Sequence, residues 1–433
     1  MTLLGIAIVF IGLLFVLFTA GFEIGFAMCL IGFLGFAYIV DLQAALNLLA
    51  IDVVEVFASY GFTVIPLFIL MGQVAFQAGI SRRLYDAAYS FIGHVPGGLA
   101  IATVAGAAAF GTITGSAPAT AATFANVAIP EMDRYGYSKE LSTGTVAASG
   151  ILGPFIPPSI FLIIYGIIAE QSIGRLFLAT LIPGLLIACS FGVTILGWCR
   201  INPKLGPKGE RSTWKGRLGR LPSVIPTIGI FVLVVGGMMQ GYFTPTEAGS
   251  VGTFGILVLS LTKKDINLKG FVMSIFESLN LACMVLILIA GGTVLGHFFA
   301  ITNIGFATAD WLSSLALRRE LTMLLVFLII LIGGSFIDDL AFVILIIPIL
   351  LPLVNKLGYD LVWFGIAMQG VLMLGIIIPP IAANVFIVAG AAKVSLATVY
   401  RGAFPFAVVL AIWLAILLVF PQIALWLPNL LMK

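Results

Sequence analysis

The chain is predicted to be an all-α polytopic membrane protein made of two inverted repeats, each with a re-entrant hairpin and a broken helix. Three observations predict this fold class. The 433 residues are 61% hydrophobic and 9% charged, with a mean hydropathy of +1.20, whereas soluble domains carry about 25% charged residues. Motifs recur at a constant offset of 222 positions. Lysine and arginine are also distributed unequally between the loops, as the positive-inside rule requires.

The composition excludes a soluble globular protein, a disordered chain and a nucleic-acid binder: the net charge is only +3, and the 21 Lys+Arg do not gather on one face. At about 20 apolar residues per crossing, the length allows roughly ten to fourteen crossings. Apolar runs fall at 2–20, 24–40, 62–80, 97–130, 141–169, 174–199, 222–240, 246–262, 280–302, 321–355, 361–392 and 402–430. The mixed stretches 42–59, 81–93, 265–279 and 304–317 read as interfacial helices or short connectors. MTLLGIAIVF lacks a basic n-region and predicts a retained first helix rather than a cleaved signal. Cys29, Cys189, Cys199 and Cys283 have the spacing of neither a disulfide frame nor a metal site, and read as small packing residues.

The repeat is read from paired motifs. Gly111 matches Gly333, Gly136-Tyr137 matches Gly358-Tyr359, Gly153 matches Gly375, and Pro157-Pro158 matches Pro379-Pro380, each pair 222 apart. Glu23-Ile24-Gly25 resembles Glu247-Ala248-Gly249 at an offset of 224. The chain therefore divides into copies at 1–199 and 221–433 around a polar linker, 200–220. If 97–130 and 321–355 each enter and leave on one side, each copy makes five net crossings, and an odd number inserts the second copy upside down.

Charge sets the orientation. The linker carries Arg200, Lys204, Lys208, Arg211, Lys215, Arg217 and Arg220 and is assigned to the cytoplasm, with the N-terminus outside. Arg82, Arg83, Arg134, Lys139, Lys263, Lys264, Lys269, Lys393 and Arg401 then also fall inside. Only Arg175, Arg318, Arg319, Lys356 and Lys433 fall outside, where segment 41–59 contributes Asp41, Asp52 and Glu55. Inverted repeats of this kind mark secondary transporters.

The chemistry is expected where the long runs are interrupted. Segment 97–130 has no charge and is broken over Gly111–Thr120 by glycine, proline and hydroxyl residues. It reads as two half-helices with a polar tip, a hairpin opening to the cytoplasm, its small residues allowing close packing. Segment 321–355 is broken at Gly333-Gly334-Ser335-Phe336-Ile337-Asp338-Asp339 and opens outward. Asp338 and Asp339 are carboxylates within an apolar run, which by default marks a site, and Asp338 is the counterpart of Ser116. After each hairpin comes a broken helix, Gly153-Pro154-Phe155-Ile156-Pro157-Pro158-Ser159 and Gly375-Ile376-Ile377-Ile378-Pro379-Pro380-Ile381. A double proline removes two N–H donors and frees carbonyls upstream, hard ligands suited to Na⁺. Asn126, Gln369 and Asn384 fit either substrate contact or interhelical bonding. His297 reads as a packing residue, Arg82 and Arg83 as topology anchors, and Glu23 and Glu247 as structural.

Together the TGSAPATAA tip, the GPFIPPS break, the GGSFIDD tip and the GIIIPPI break resemble the large membrane subunit (DctM type) of TRAP transporters, the tripartite ATP-independent periplasmic transporters. The resemblance covers essentially the whole chain. It implies an elevator-type fold of the ion-transporter superfamily and Na⁺-driven import of an organic acid such as a C4-dicarboxylate or sialic acid across the bacterial inner membrane. It also implies two partners, a small four-helix membrane subunit (DctQ type) and a periplasmic substrate-binding protein (DctP type). No four-helix block precedes the first repeat, so the small subunit is read as a separate chain. By resemblance one Na⁺ site uses Thr114, Ser116, Gly153, Ile156 and Pro158, and the other Gly334, Gly375, Ile378 and Ile381. Substrate is placed near Ser116, Pro118, Asp338 and Asn384. Residues 96–199 and 321–433 would form the mobile transport part and 1–95 with 221–320 the scaffold, the connectors 81–93 and 304–317 serving as arms.

Two other classes fit less well. A membrane-embedded enzyme would need a nucleophile–base or metal cluster, and the two histidines, His94 and His297, lie far apart outside any HExxH or GxSxG context. A channel would ask for one continuous pore rather than two inverted half-sites. No Walker A sequence is present, so the chain is not read as an ATPase.

Overall fold

The computed structural model describes residues 2–314 and 317–432. Lys433, and Leu315 and Ala316 of the 304–317 connector, lie outside the described residues. The first repeat opens with α1 (Leu3–Thr19), α2 (Ile24–Ile39) and α3 (Leu42–Ala58). Their starts are set by side chains accepting a first-turn N–H: Thr2 from Gly5, Glu23 from Phe26 and Asp41 from Ala44. Then come α4 (Val64–Gln77), α5 (Ile80–Ile92), α6 (Gly98–Thr114), α7 (Ala117–Arg134), α8 (Lys139–Gly150), the single turn α9 (Leu152–Phe155), α10 (Ile160–Ile168) and α11 (Ile173–Ile201).

The second repeat runs α12 (Trp214–Met239), α13 (Pro245–Thr262), α14 (Leu268–Thr302), α15 (Ile304–Ser314), α16 (Arg319–Phe336), α17 (Asp339–Lys356), α18 (Leu361–Gly375), α19 (Ala383–Ala392), α20 (Leu396–Val419) and α21 (Gln422–Leu431). Thr244 and Glu247 form a capping box at the start of α13, while Glu23 is itself the N-cap of α2, so both glutamates serve a helix start. Among the described residues there is no strand, and seven helices are long and apolar enough to cross a membrane. Lys139–Phe155 with Ile160–Ile168, bent by 43°, would make an eighth span.

Some boundaries differ from the sequence reading. Stretch 265–279 is neither an interfacial helix nor a connector over most of its length: from Leu268 it is the first part of α14, which runs unbroken for 35 residues. The run 402–430 is split at Phe420-Pro421 into α20 and α21. The linker is shorter than 200–220, because α11 reaches Ile201 and α12 begins at Trp214 with Thr213 as its cap. Two basic residues of this first part of α12, Arg217 and Arg220, are held against α5. Arg217 stacks on Trp214 and Phe91 at 4.9 and 5.9 Å, and Arg220 donates to the Asp86 carbonyl at 2.6 Å. The four cysteines are unpaired, and Cys189 and Cys283 are exposed rather than packed.

Contacts at the hairpin bases place the two hairpins oppositely. The base of the first hairpin sits at the linker, where Gly97 N donates to the Gly206 carbonyl and Ser138 N to the Leu205 carbonyl, each at 2.9 Å. Helix α8 starts from that end. At the far end of the same broken helix, Tyr165 Oη donates to the Leu361 carbonyl at 2.6 Å, beside the base of the second hairpin. The two hairpins thus open toward opposite ends of the molecule.

The halves also interlock. Helix α2 packs on α14, and α13 on α4. A Cβ on Gly32 would lie 2.6 Å from the Leu295 backbone nitrogen, so the α2–α14 approach needs glycine. Helix α8 crosses α20 at Gly144 and Gly402, whose backbones touch, and α18 packs on α11.

Candidate functional site: a cavity between two hairpin tips

Both hairpins turn in two residues. Helix α6 ends at Thr114 and is capped by Gly115, with φ +59°, where a Cβ would sit 2.5 Å from the Pro158 carbonyl oxygen, so this position needs glycine on both counts. Ser116 then caps α7, accepting from Ala119 N at 3.4 Å. In the second hairpin α16 ends at Phe336, and Asp338 caps α17, its Oδ1 accepting from Leu340 N and Ala341 N at 3.1 and 3.3 Å. Ser116 and Asp338 are thus equivalent N-caps, as their 222 offset implies. The interruptions are narrower than the stretches Gly111–Thr120 and Gly333–Asp339 suggest, because Gly111 and Gly333 stay helical and use their missing side chains for packing.

Each tip lies against the double-proline break of its own repeat. At the first, a Cβ on Gly153 would lie 2.7 Å from Thr120 Oγ1 and 2.8 Å from the Ser116 carbonyl oxygen. Thr114 Oγ1 and Thr120 Oγ1 are 3.0 Å apart, and Thr120 Oγ1 donates to the Ser116 carbonyl at 2.8 Å. At the second, a Cβ on Gly375 would lie 3.2 Å from Ser335 Oγ and 3.3 Å from the Gly334 carbonyl carbon. Both Pro157-Pro158 and Pro379-Pro380 are cis.

The prolines decide which carbonyls stay free. Pro157 and Pro158 cannot donate to Gly153 and Pro154 four residues back. The Pro154 oxygen is taken instead by Gln369 Nε2 at 2.7 Å, and the Phe155 oxygen by Thr180 Oγ1 at 2.9 Å. Among the described residues no donor meets the Gly153, Ile156 or Pro158 oxygen, nor that of Thr114, four residues before Pro118. The second break repeats the pattern: Ile376 O is taken by Asn384 N at 3.2 Å, while Gly375 O and Ile378 O are unmet. Ile381 is different, since its carbonyl shares Tyr400 Oη with that of Pro380, both at 3.3 Å. These oxygens are hard donors of the kind that bind alkali cations at membrane depth. Among the described residues no cluster of His, Cys, Asp and Glu could hold a transition metal.

The tips meet at a cavity of about 240 Å³. Thr114–Ala119 of the first tip, Asp338–Leu340 of the second, and Pro154, Ile160 and Phe161 of the first break line it. Its remaining wall is Ile69, Gly72 and Gln73 of α4 with Leu281, Met284 and Val285 of α14. Three helix N-termini, those of α7, α10 and α17, converge here, and a helix N-terminus favours an anion. Ser116, Pro118 and Asp338 are brought together as expected, but Asn384 is not. It is drawn into the α8–α19 seam, where Nδ2 donates to the Ala147 carbonyl at 3.0 Å. Gln73 is a lining residue the sequence reading missed; its only signal is an amide within the apolar run 64–76.

Other candidates lie elsewhere. Asn126 donates back to the Ala122 carbonyl on the exposed side of α7. Arg83 pairs with Asp265 at 2.7 Å and Arg82 with Glu131 at 3.7 Å, tying α5 to its neighbours. His297 is more than a packing residue: its Nε2 is 3.3 Å from Oδ2 of Asp52, a buried carboxylate on the segment that the sequence reading placed outside as an interfacial helix or connector. Gln369→Leu is expected to lower thermal stability, because it orphans a buried carbonyl at a cost of about 1–3 kcal/mol. Thermal unfolding of the purified variant, compared with wild type, checks this.

Fold and site together define an all-helical membrane protein whose two hairpin tips meet at a buried cavity, the architecture of a membrane transporter. Structural comparison agrees: the Alcanivorax borkumensis YdaH transporter matches with a TM-score of 0.55 over 89% of this chain and 90% of its own, at 14% identity. The particular family follows from sequence. The model of the tripartite ATP-independent periplasmic transporter, DctM component, matches residues 11–423, and the chain belongs to that family of TRAP transporter large membrane subunits. It is 33% identical to the C4-dicarboxylate TRAP transporter large permease protein DctM of Pseudomonas aeruginosa, over 88% of this chain and 89% of that one. It is 32% identical to the sialic acid TRAP transporter large permease protein SiaM of Vibrio cholerae, over 97% of both chains.

Proposed function

We propose that this subunit imports an organic acid anion across the bacterial inner membrane, coupled to Na⁺, by an elevator mechanism. The observation that carries the reading is the pairing of each hairpin tip with carbonyls freed by its own double proline, beside a cavity on which three helix N-termini converge. Na⁺ would bind first, at Thr114, Ser116, Gly153, Ile156 and Pro158 and at Gly334, Gly375 and Ile378. Ile381 would join the second set only on release from Tyr400. The cation charge would then offset the acid in the cavity, where an unpaired charge is costly. Ser116, Pro118 and the Asp338 side chain would face the substrate.

In this reading 96–199 and 321–433 move as a block against 1–95 and 221–320, with the linker cytoplasmic and the N-terminus periplasmic. Ion and acid must together favour the movable state, because a ligand shifts a population only through its differential affinity. A small four-helix subunit would complete the membrane part, and a periplasmic binding protein would deliver an acid of the C4-dicarboxylate or sialic-acid type.

The test is uptake into proteoliposomes holding both membrane subunits, with the cognate binding protein loaded with its acid outside. An inward Na⁺ gradient should drive accumulation, and replacing Na⁺ with K⁺ should reduce it to background. Equal accumulation without Na⁺, or with a proton gradient alone, would refute Na⁺ coupling.

A further inference from the structure

Two adjoining cavities lie on the flank of the first hairpin, away from the tips. One, of about 450 Å³, runs between α6, α11 and α12; the other, of about 670 Å³, continues along α6 and α11. Ala105, Ala108 and Leu185 line both, so the two form one groove. Its deep end is closed by Thr112, by Ile156 of the first break and by Phe231 of α12, and its shallow end opens at Pro96 and Arg200, beside the basic linker. The lining is apolar except for two threonines, Arg200 and the backbone.

The dimensions fit one leaflet. From Ile101 to Thr112 the groove follows α6 for about 16 Å at 1.5 Å per residue, and half of a bilayer's hydrocarbon core is about 15 Å. Leu185, Val193 and Ile228 around it are exposed on a transmembrane surface, so the groove opens sideways toward lipid rather than toward water. Arg200 closes the last turn of α11 and makes no ion pair or side-chain hydrogen bond among the described residues.

We propose that the groove is a binding site for an anionic phospholipid of the leaflet on the linker side. An acyl chain lies along α6 against Ala105 and Ala108, and the phosphate sits on the Arg200 guanidinium. A free cation at the mouth of a leaflet-deep apolar slot complements an anionic headgroup more strongly than a zwitterionic one. The site lies between hairpin helix α6 and α12, so its occupant would sit at a boundary that sliding must shear. That last consequence rests on the elevator reading; the binding does not.

The test is native mass spectrometry of the purified full-length chain in detergent, incubated separately with phosphatidylglycerol and phosphatidylethanolamine. Wild type should retain one phosphatidylglycerol in preference to phosphatidylethanolamine. Arg200→Gln should weaken phosphatidylglycerol retention roughly fivefold, the usual effect of one basic residue at a lipid surface, and leave phosphatidylethanolamine unchanged. Ala108→Phe should reduce both, while Arg175→Gln, whose guanidinium instead bonds Asn429, should change neither. Equal retention of phosphatidylglycerol by Arg200→Gln and wild type, or no preference between the two lipids, would overturn the proposal. So would crosslinking of a cysteine placed at Ala108 to the small membrane subunit, which would assign the groove to that partner. Uptake without Na⁺ would refute the ion reading and leave these outcomes untouched.

Discussion

Gly153→Ala is expected to reduce the uptake that we propose Na⁺ drives ten- to a hundredfold while the protein still inserts and purifies. The added methyl would lie 2.7 Å from Thr120 Oγ1 and 2.8 Å from the Ser116 carbonyl oxygen, both held by the short bonds of the first tip. Overpacking a tight site costs about 1–3 kcal/mol, and each 1.4 kcal/mol is tenfold in affinity. The tip must therefore withdraw from the break, separating hydroxyl and carbonyl ligands that we place on one ion. The discriminating measurement is uptake rate against Na⁺ concentration. A rise in the half-saturating Na⁺ concentration is expected, and an unchanged one would show that tip and break share no ion. Gly229→Ala is the control, since that glycine is helical and a Cβ there meets nothing within 4 Å.

Asp338→Asn should separate two jobs of one side chain. Asn caps helices about as well as Asp, so the bonds to Leu340 N and Ala341 N persist and thermal stability should move by less than about 0.5 kcal/mol. The charge is lost, however, from the one lining element that supplies carboxylates to the cavity. Uptake is expected to fall at least tenfold. Asp338→Ala should lose both, adding about 1 kcal/mol of instability for the missing cap. Uptake by Asp338→Asn at the wild-type rate would remove the carboxylate from the transport cycle and leave it as a cap.

Much of this arrangement was legible before any coordinates, because its devices are ones the chain cannot hide. A double proline removes two donors wherever it sits, and finding it twice at one offset pointed to both breaks. The hairpins were legible as runs too long for one crossing and interrupted by residues that end helices. Less legible were features set by partners distant in sequence. Gly111 and Gly333 look like breakers, but each is a helical residue pressed against a neighbour. Asn384 looked like a cavity residue, yet the nearby Ala147 carbonyl claims its amide. Asp52 lay in a stretch of acids without bases, and only folding brings His297 to it. The basic start of α12 read as linker because charge normally ends a membrane helix, and its contacts with Phe91 and Asp86 could not be seen in one dimension.

The exchange of partners between halves governs how the protein is made. A ribosome that has finished α2 has yet to synthesise α14, whose Leu295 and Phe298 will cover Gly32 and Gly35. At about 5–20 residues per second, some quarter of a minute to a minute passes before that cover emerges. During that wait the nascent first half sits in the bilayer with its glycine seam bare. Assembly is therefore post-insertional, and a chain truncated in the linker should be a substrate for membrane proteases rather than a half-transporter.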